Sequence, residues 1–256
     1  MCELRECGSE AVLFDLDGVV TDTASVHAEA WKRLFDAFLA ARQGRATPAE
    51  PFRIPEDYTA YVDGKPRNEG VRAYLRGRGV DLPWGNVGDL PDNETVCGLG
   101  NAKDSYFDQV VDERGIRVYA GTIALIETLR AAGVKTACVS SSKNCRPVLE
   151  RIGLLDHFDV VFDGLDVERE NLRGKPGPDC FLRGAALLGT RPQRSAVVED
   201  AVTGVRAGRA GRFERVIAVD RGAGHAALLA AGADVVVDDL GVFLPEPDPL
   251  STSEAS

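Results

Sequence analysis

Short apolar runs alternate with amphipathic stretches along much of the chain, and this pattern predicts an α/β fold. The first run begins at Ala11 and ends in two acids, Asp15 and Asp17, and similar runs recur after residue 133. Short, nearly continuous apolar strands that alternate with helices are typical of a parallel sheet covered on both faces. The later predicted strands are 134–140, 158–162, 195–198, 215–219 and 234–237, and the predicted helices are 122–132, 144–152, 178–188, 201–210 and 223–231.

A long helical block separates the first strand from the others. Apolar residues recur at helical spacing over 24–40, residues 41–59 favour a loop, and the pattern from 61 to 115 is again helical where it is regular. We expect no strand between 24 and 115. Because this block far exceeds an ordinary connection, we expect a core domain of 1–23 and 112–242, an inserted helical domain of 24–111, and a disordered tail of 243–256.

Composition and charge narrow the class of protein. The 256 residues are 44% apolar and 27% charged, which is typical of globular domains. A formal net charge of -10 argues against a nucleic-acid partner or an anionic membrane surface. Six cysteines form no CxxC pair, so they favour free thiols in a reducing compartment over zinc or disulfides. With no apolar run of membrane-spanning length, we expect a cytoplasmic protein. We also expect it to be a monomer.

Polar side chains follow several predicted strands at the point where each strand ends. Residues i and i+2 of a strand lie on one face, so Asp15 and Asp17 could reach one cavity, although an acidic turn has the same composition. Ligands of open parallel sheets bind at the carboxyl ends of the strands. The other candidates there are Ser140, Ser141, Asn144, Lys175, Glu199 and Asp200. Taken singly, Asn144 could merely cap a helix and Lys175 could be a solvated loop residue.

These residue types together suit phosphoryl transfer. Oxygen ligands from Asp15, Glu199 and Asp200 are those that Mg²⁺ prefers. Lys175 and the loop that begins at Ser140 could hold phosphate oxygens, since free N–H groups at a helix start favour an anion. An aspartate nucleophile can form an aspartyl-phosphate and so divide the transfer into two steps.

Four segments of the chain resemble, in order, the four motifs of the haloacid dehalogenase superfamily of phosphotransferases. These segments are 15–23, 140–142, 175–176 and 199–200. The resemblance implies a Rossmann-like parallel sheet core (HAD fold) with an inserted helical cap domain. It also implies that Asp15 is the nucleophile, that Asp17 is the general acid/base, and that Mg²⁺ is the cofactor. The implied metal ligands are Asp15, Asp17, Glu199 and Asp200, and the implied phosphate ligands are Ser140, Ser141, Asn144 and Lys175. Asp17 argues against halide chemistry, because the dehalogenase branch typically lacks this acid.

The helical block resembles the cap of the β-phosphoglucomutase-like subfamily. Thr23 and His27, and the segment containing Gly64, Lys65 and Arg67, carry this likeness. The resemblance implies catalytic roles for Thr23 and His27 and substrate binding by Gly64, Lys65 and Arg67, whose guanidinium matches phosphate oxygens. His27 could instead be a packed core histidine, and Arg67 a surface charge. The chain departs from the subfamily at residue 63, an aspartate where a lysine is expected, and Lys103 could supply that charge.

The resemblance implies interconversion of β-D-glucose 1-phosphate and glucose 6-phosphate through a bisphosphate, so we expect a small phosphorylated sugar as the substrate. The alternative is a sugar-phosphate phosphatase, in which water accepts the phosphoryl group. A third hypothesis is a catalytically idle phosphate-binding module, against which the intact acids and the lysine argue. The sheet-end residues are shared by the first two hypotheses, so the cap has to distinguish them.

Overall fold

The computed structural model describes residues 9–42, 50–62, 65 and 67–245, which form two compact units. The sheet unit comprises the described residues up to Asp22 and from Arg117 onward, and the helical unit is Thr23–Ile116. The expected tail lies almost entirely outside the described residues. Within the described residues, no helix has the length and hydropathy that a membrane-spanning segment would need.

The sheet unit contains a six-stranded parallel sheet, which confirms the predicted fold class. Its order is β3-β2-β1-β4-β5-β6. Every residue of the central strand is fully buried, because helices cover both faces, and this explains the continuous apolar run. In register, Ala11 lies opposite Lys135 on one side and Ser195 on the other. The strands are β1 (Ala11–Phe14), β2 (Lys135–Val139), β3 (Val160–Phe162), β4 (Ser195–Glu199), β5 (Arg215–Val219) and β6 (Val235–Val237).

Helices connect the strands at nearly the predicted places. The described helices of the sheet unit are α4 (Ala120–Ala131), α5 (Cys145–Arg151), α6 (Gly164–Arg169), α7 (Asp179–Leu187), α8 (Val202–Ala210) and α9 (His225–Ala231). The periodicity did not predict α6, because six residues are too few to show an apolar period. Its start is fixed by a capping box, in which Asp163 accepts from the backbone of Asp166 and the Asp166 side chain bonds back.

The helical unit is built on three helices, α1 (Thr23–Ala41), α2 (Arg67–Gly77) and α3 (Val96–Arg114). Its described residues contain no strand, as the sequence predicts. Aromatic rings form its core: Phe35 lies 4.0 Å from Tyr74 and 5.4 Å from Phe52 between ring centroids. A π-helical turn at Tyr58–Val62 begins inside the stretch 41–59, for which the pattern favoured a loop.

The strand order creates a switch point at β1. From β1 the sheet extends through β2 and β3 on one side and through β4, β5 and β6 on the other. In open parallel sheets the crevice beside such a strand, at the carboxyl ends, is where ligands bind. The candidate residues after β1, β2 and β4 therefore lie at neighbouring strand ends.

Candidate active site

Asp15 and Asp17 follow β1 rather than lie within it, which corrects the strand geometry expected for them. The strand ends at Phe14, and the chain then makes a tight turn in which the Gly18 N–H donates to the Thr21 carbonyl at 2.7 Å. The backbone N–H of Asp15 still donates to Val198 of β4 at 3.0 Å, so this buried acid stays fixed to the sheet. Asp17 belongs to the turn.

Gly18 is required by both its conformation and its neighbour. Its φ is +83°, which L side chains rarely adopt. A Cβ at this position would overlap the carboxylate of Asp200. The turn after β1 and the acid after β4 therefore pack directly against each other.

Three carboxylates meet at this end of the sheet. Asp15, Glu199 and Asp200 each offer an oxygen, and these oxygens all lie within 4.8 Å of one another. Two backbone hydrogen bonds orient the Glu199 side chain: its Oε2 accepts from the N–H groups of Asp200 and Ala201 at 3.0 and 3.1 Å. An all-oxygen, anionic set of this kind fits Mg²⁺. The Asp17 carboxylate is not part of this group of described residues, so its role as a metal ligand stays a prediction.

Lys175 lies among these acids. Its ammonium donates to Asp15 and to Glu199, and it lies 4.7 Å from the centre of the Phe181 ring. Burial would lower the pKa of Lys175, but the charges of Asp15 and Glu199 outweigh that effect and raise it. The lysine is therefore a buried ammonium and not the solvated loop residue of the alternative interpretation.

Negative charge is crowded at this site. Burial, together with the charges of Glu199 and Asp17, raises the pKa of Asp15 to about 8 despite the opposing charge of Lys175. Burial, followed by the charges of Glu199, Asp15 and Asp17, raises the pKa of Asp200 well above its usual range. Carboxylates this close are stabilised by a cation or a shared proton. The donor chemistry of these three carboxylates fits a divalent cation.

The predicted phosphate loop follows β2. Ser140 is buried, and its hydroxyl accepts from the Ser142 N–H at 3.0 Å. Ser141 is exposed, and Asn144 is the N-cap residue of α5 without a side-chain capping bond. Asn144 therefore lies at the start of a helix, as the sequence predicts. Phosphate binding by these residues stays a prediction. A Cβ on Gly164 would come 2.5 Å from the Ser141 carbonyl, so α6 packs closely beneath the loop.

Two residues that sequence reasoning missed hold the turn after β1. Arg221 donates from Nε to the Gly18 carbonyl at 2.9 Å, and its guanidinium lies 3.6 Å from the centre of the Tyr119 ring. Thr122 donates to the Val19 carbonyl at 2.7 Å. Arg221 comes soon after β5, so the rule that polar residues gather at strand ends could have identified it. No local pattern marks Thr122.

In the helical unit, His27 bonds to Lys103. The Lys103 ammonium lies against Nδ1 of His27, and the imidazole stacks on Phe107 with the ring centroids 4.6 Å apart. Burial, then Lys103 and Arg67, lowers the pKa of His27 well below its usual value, so the ring is neutral. Because an ammonium can only donate, Nδ1 accepts and the ring proton is on Nε2. His27 is thus packed and also hydrogen-bonded. Thr23, the first residue of α1, is fully buried.

The remaining cap residues have defined contacts where they are described. Arg67 binds the carboxylate of Asp104 through two hydrogen bonds of 2.8 and 2.7 Å. Lys65 donates to the carbonyl of Ala60 at 2.9 Å. Gly64, like the unusual aspartate before it, lies outside the described residues. Substrate binding by Gly64, Lys65 and Arg67 stays a prediction.

Comparisons with known proteins identify the family of the chain. The family model for haloacid dehalogenase-like hydrolases matches residues 10–212. A β-phosphoglucomutase of Mycobacterium bovis is 47% identical over 239 residues, which is 91% of either chain. Hexitol phosphatase A of Escherichia coli is 32% identical over 200 residues, 77% of either chain. The crystal structure of a β-phosphoglucomutase from Clostridium difficile matches with a TM-score of 0.69 at 25% identity, covering 92% of this chain and 93% of that one.

Proposed function

Because the chain belongs to the haloacid dehalogenase-like hydrolase family, we propose that it transfers phosphoryl groups through Asp15 and isomerises a sugar phosphate. It is an enzyme, an isomerase or a phosphatase. The observation that carries the chemistry is the meeting of Asp15, Glu199 and Asp200 at one end of the sheet. The relative that is 47% identical favours β-phosphoglucomutase activity, the interconversion of β-D-glucose 1-phosphate and glucose 6-phosphate.

The reaction begins with attack by a carboxylate oxygen of Asp15 on the phosphorus of β-glucose 1,6-bisphosphate. The bond from phosphorus to the sugar oxygen breaks, and Asp17 gives that oxygen a proton. In the second half, a hydroxyl of the sugar monophosphate attacks the aspartyl-phosphate while Asp17 takes the hydroxyl proton. Asp15 is released as a carboxylate, and the bisphosphate is regenerated. Each half transfers one phosphoryl group and one proton, so the cycle closes.

The charged groups around Asp15 would lower the barrier for both halves. Asp15, Asp17, Glu199 and Asp200 would hold Mg²⁺, which, when bound, neutralises charge on the oxygens of the transferred group. Lys175 orients the nucleophile through its hydrogen bond to Asp15. Ser140, Ser141 and Asn144 would bind the remaining phosphate oxygens.

The helical unit would select the substrate. We infer that Arg67, with Gly64 and Lys65, binds the second phosphate of the sugar, since a guanidinium pairs with two phosphate oxygens at once. Thr23 and His27 would assist the proton transfers of Asp17. The neutral His27, with its proton on Nε2, can serve as a hydrogen-bond donor in that role.

A phosphatase is the second candidate, and one observation favours it. Hexitol phosphatase A, at 32% identity, is matched over 77% of its length. The same Asp15 chemistry would then end with water as the acceptor and free phosphate as the product. The mutase and phosphatase hypotheses therefore differ in one measurable quantity, the fate of the phosphoryl group.

The test supplies purified protein with Mg²⁺, β-glucose 1-phosphate and a catalytic amount of β-glucose 1,6-bisphosphate, and measures glucose 6-phosphate and free phosphate separately. We expect glucose 6-phosphate to exceed free phosphate in the wild type. Asp15→Asn should abolish both products, whereas Asp156→Asn, the same change at an exposed position of the sheet unit, should retain both. Free phosphate without glucose 6-phosphate would refute the mutase proposal and favour the phosphatase.

A further inference from the structure

The guanidinium of Arg67 is engaged by an acid of the same unit. Arg67 is the first residue of α2, and its Nη1 and Nη2 donate to the two oxygens of Asp104 on α3, at 2.8 and 2.7 Å. Two parallel bonds of this kind are also how arginine binds a phosphate. The carboxylate of Asp104 therefore uses the same donors that a phosphate would use.

Close packing of α2 against α3 holds this pair in place. Gly100 lies one helical turn before Asp104, on the same face of α3. A Cβ at Gly100 would overlap the Asn68 side-chain oxygen and come 3.5 Å from Cδ of Arg67. Asn68 also donates to the sulfur of Cys97, at 3.3 Å. The two helices therefore meet with little space between them, so the pairing follows from the packing.

The pair is nevertheless open to solvent. The side chain of Arg67 is 30% exposed and that of Asp104 is 43% exposed. Water and salt screen ion pairs at such positions, so they contribute little to stability. A solute with a stronger charge can therefore replace the carboxylate.

The cations nearest in sequence have other partners. Lys103, directly before Asp104, directs its ammonium to His27, and Lys65 donates to the Ala60 carbonyl. Among the described residues, the ion pairs give Arg67 a single carboxylate, that of Asp104. A change at Asp104 would therefore act mainly on the availability of this guanidinium.

We propose that Asp104 competes with the second phosphate of the substrate for Arg67 and thereby sets how tightly that phosphate is bound. A phosphate dianion displaces the carboxylate, whereas a neutral hydroxyl or another monoanion gains too little to do so. Asp104 thus weakens the binding of ligands that need Arg67, whereas ligands without a second phosphate bind without displacing it. This inference rests on the proposed function, because it takes Arg67 as the ligand of that phosphate.

The test is Asp104→Asn in the full chain, which removes the charge and keeps the shape. We expect KM for β-glucose 1,6-bisphosphate to fall about three- to tenfold, with kcat within about twofold of the wild type. Turnover of acetyl phosphate, a small phosphate donor, should not change. Asp108→Asn lies one turn further along α3, at an exposed position, and should leave both values unchanged. Asp104→Ser should shift KM in the same direction as Asp104→Asn.

A binding measurement separates this proposal from the proposed function. Calorimetric titration with β-glucose 1,6-bisphosphate, in protein that also carries Asp15→Asn, reports affinity without turnover. Tighter binding with Asp104→Asn supports the competition even if the wild type isomerises no hexose phosphate. Unchanged or weaker binding, or a higher KM, would overturn it, because Asp104 would then position Arg67 or serve stability alone. Loss of isomerisation in the wild type, with acetyl phosphate turnover retained, would count against the mutase proposal only.

Discussion

Gly18→Ala offers a sharp test of how the turn after β1 supports the acids beside it. The substitution adds one methyl group at a residue whose φ is +83°. That backbone conformation alone costs about 1–2 kcal/mol for an L residue. The new Cβ would also overlap the Asp200 carboxylate, so Asp200 must move away from Asp15 and Glu199. Two separate losses follow, one of stability and one of metal affinity.

Gly153→Ala is the matched control. Gly153 belongs to the same unit and has a φ of +70°, but a Cβ there meets nothing within 4 Å. It should therefore suffer the backbone cost of about 1–2 kcal/mol without the overlap. Any additional effect of Gly18→Ala then reports on Asp200.

Two assays measure the two losses. Urea denaturation without Mg²⁺ gives the free energy of unfolding, which we expect to fall by at least as much in Gly18→Ala as in Gly153→Ala. Titration of acetyl phosphate turnover with Mg²⁺ gives the apparent metal affinity, which should fall about tenfold or more in Gly18→Ala only, because the Asp200 carboxylate is displaced. Equal Mg²⁺ affinities for the two variants would refute the reasoning that Gly18 makes room for Asp200.

Three further predictions concern other parts of the chain. Gly204→Ala should weaken Mg²⁺ dependence as Gly18→Ala does, since its Cβ would overlap the Glu199 carboxylate; an unchanged Mg²⁺ titration would contradict this. Arg221→Leu should lower kcat for acetyl phosphate about tenfold by releasing the Gly18 carbonyl, whereas Arg206→Leu, at an exposed position, should not. Arg78→Met should lower the free energy of unfolding at pH 7 by about 3 kcal/mol, because it removes the guanidinium that lies 2.8 Å from the buried Asp57 carboxylate. A loss below about 1 kcal/mol would contradict this and would mean that the ion pair contributes no more than a solvent-exposed one.

The pKa of Asp57 determines how the stabilisation by its carboxylate varies with pH. Burial raises the pKa of Asp57, but hydrogen bonds from Arg53 and the charge of Arg78 outweigh burial, and the pKa is lowered below 3.8. A lowered pKa means that the stabilisation is present above the unfolded value and is lost as the pH falls through the folded one. The difference in unfolding free energy between wild type and Asp57→Asn should therefore shrink below about pH 4. A constant difference between pH 7 and pH 3 would contradict this assignment.

Much of the sheet could be predicted because its signal is local. Strands buried on both faces need continuous apolar runs, so β2, β4 and β5 were found to within a residue or so at either end. The acids at the carboxyl ends of β1 and β4 follow the same logic, since they lie where such runs end. The exact end of β1 could not be predicted. Asp15 lies just outside the strand but still bonds to β4 through its backbone, and no sequence pattern distinguishes such a residue from the last residue of a strand.

Contacts between distant segments were beyond the sequence. Nothing near Arg221 indicates that it donates to Gly18, about two hundred residues earlier. Arg67 was singled out as a phosphate ligand, but its pairing with Asp104 depends on how α2 packs against α3. The short helix α6 was missed for a different reason: its capping residues, and not an apolar period, determine where it begins.

Detection of the phosphorylated enzyme tests the central claim most directly. Wild-type protein would be mixed with Mg²⁺ and β-glucose 1,6-bisphosphate, quenched in acid, digested and examined by mass spectrometry, with Asp15→Asn treated in parallel. The account predicts one phosphoryl group on the peptide that carries Asp15, and none on that peptide from Asp15→Asn. Turnover of the bisphosphate with the phosphoryl group on another residue, or with Asp15→Asn as active as the wild type, would contradict it.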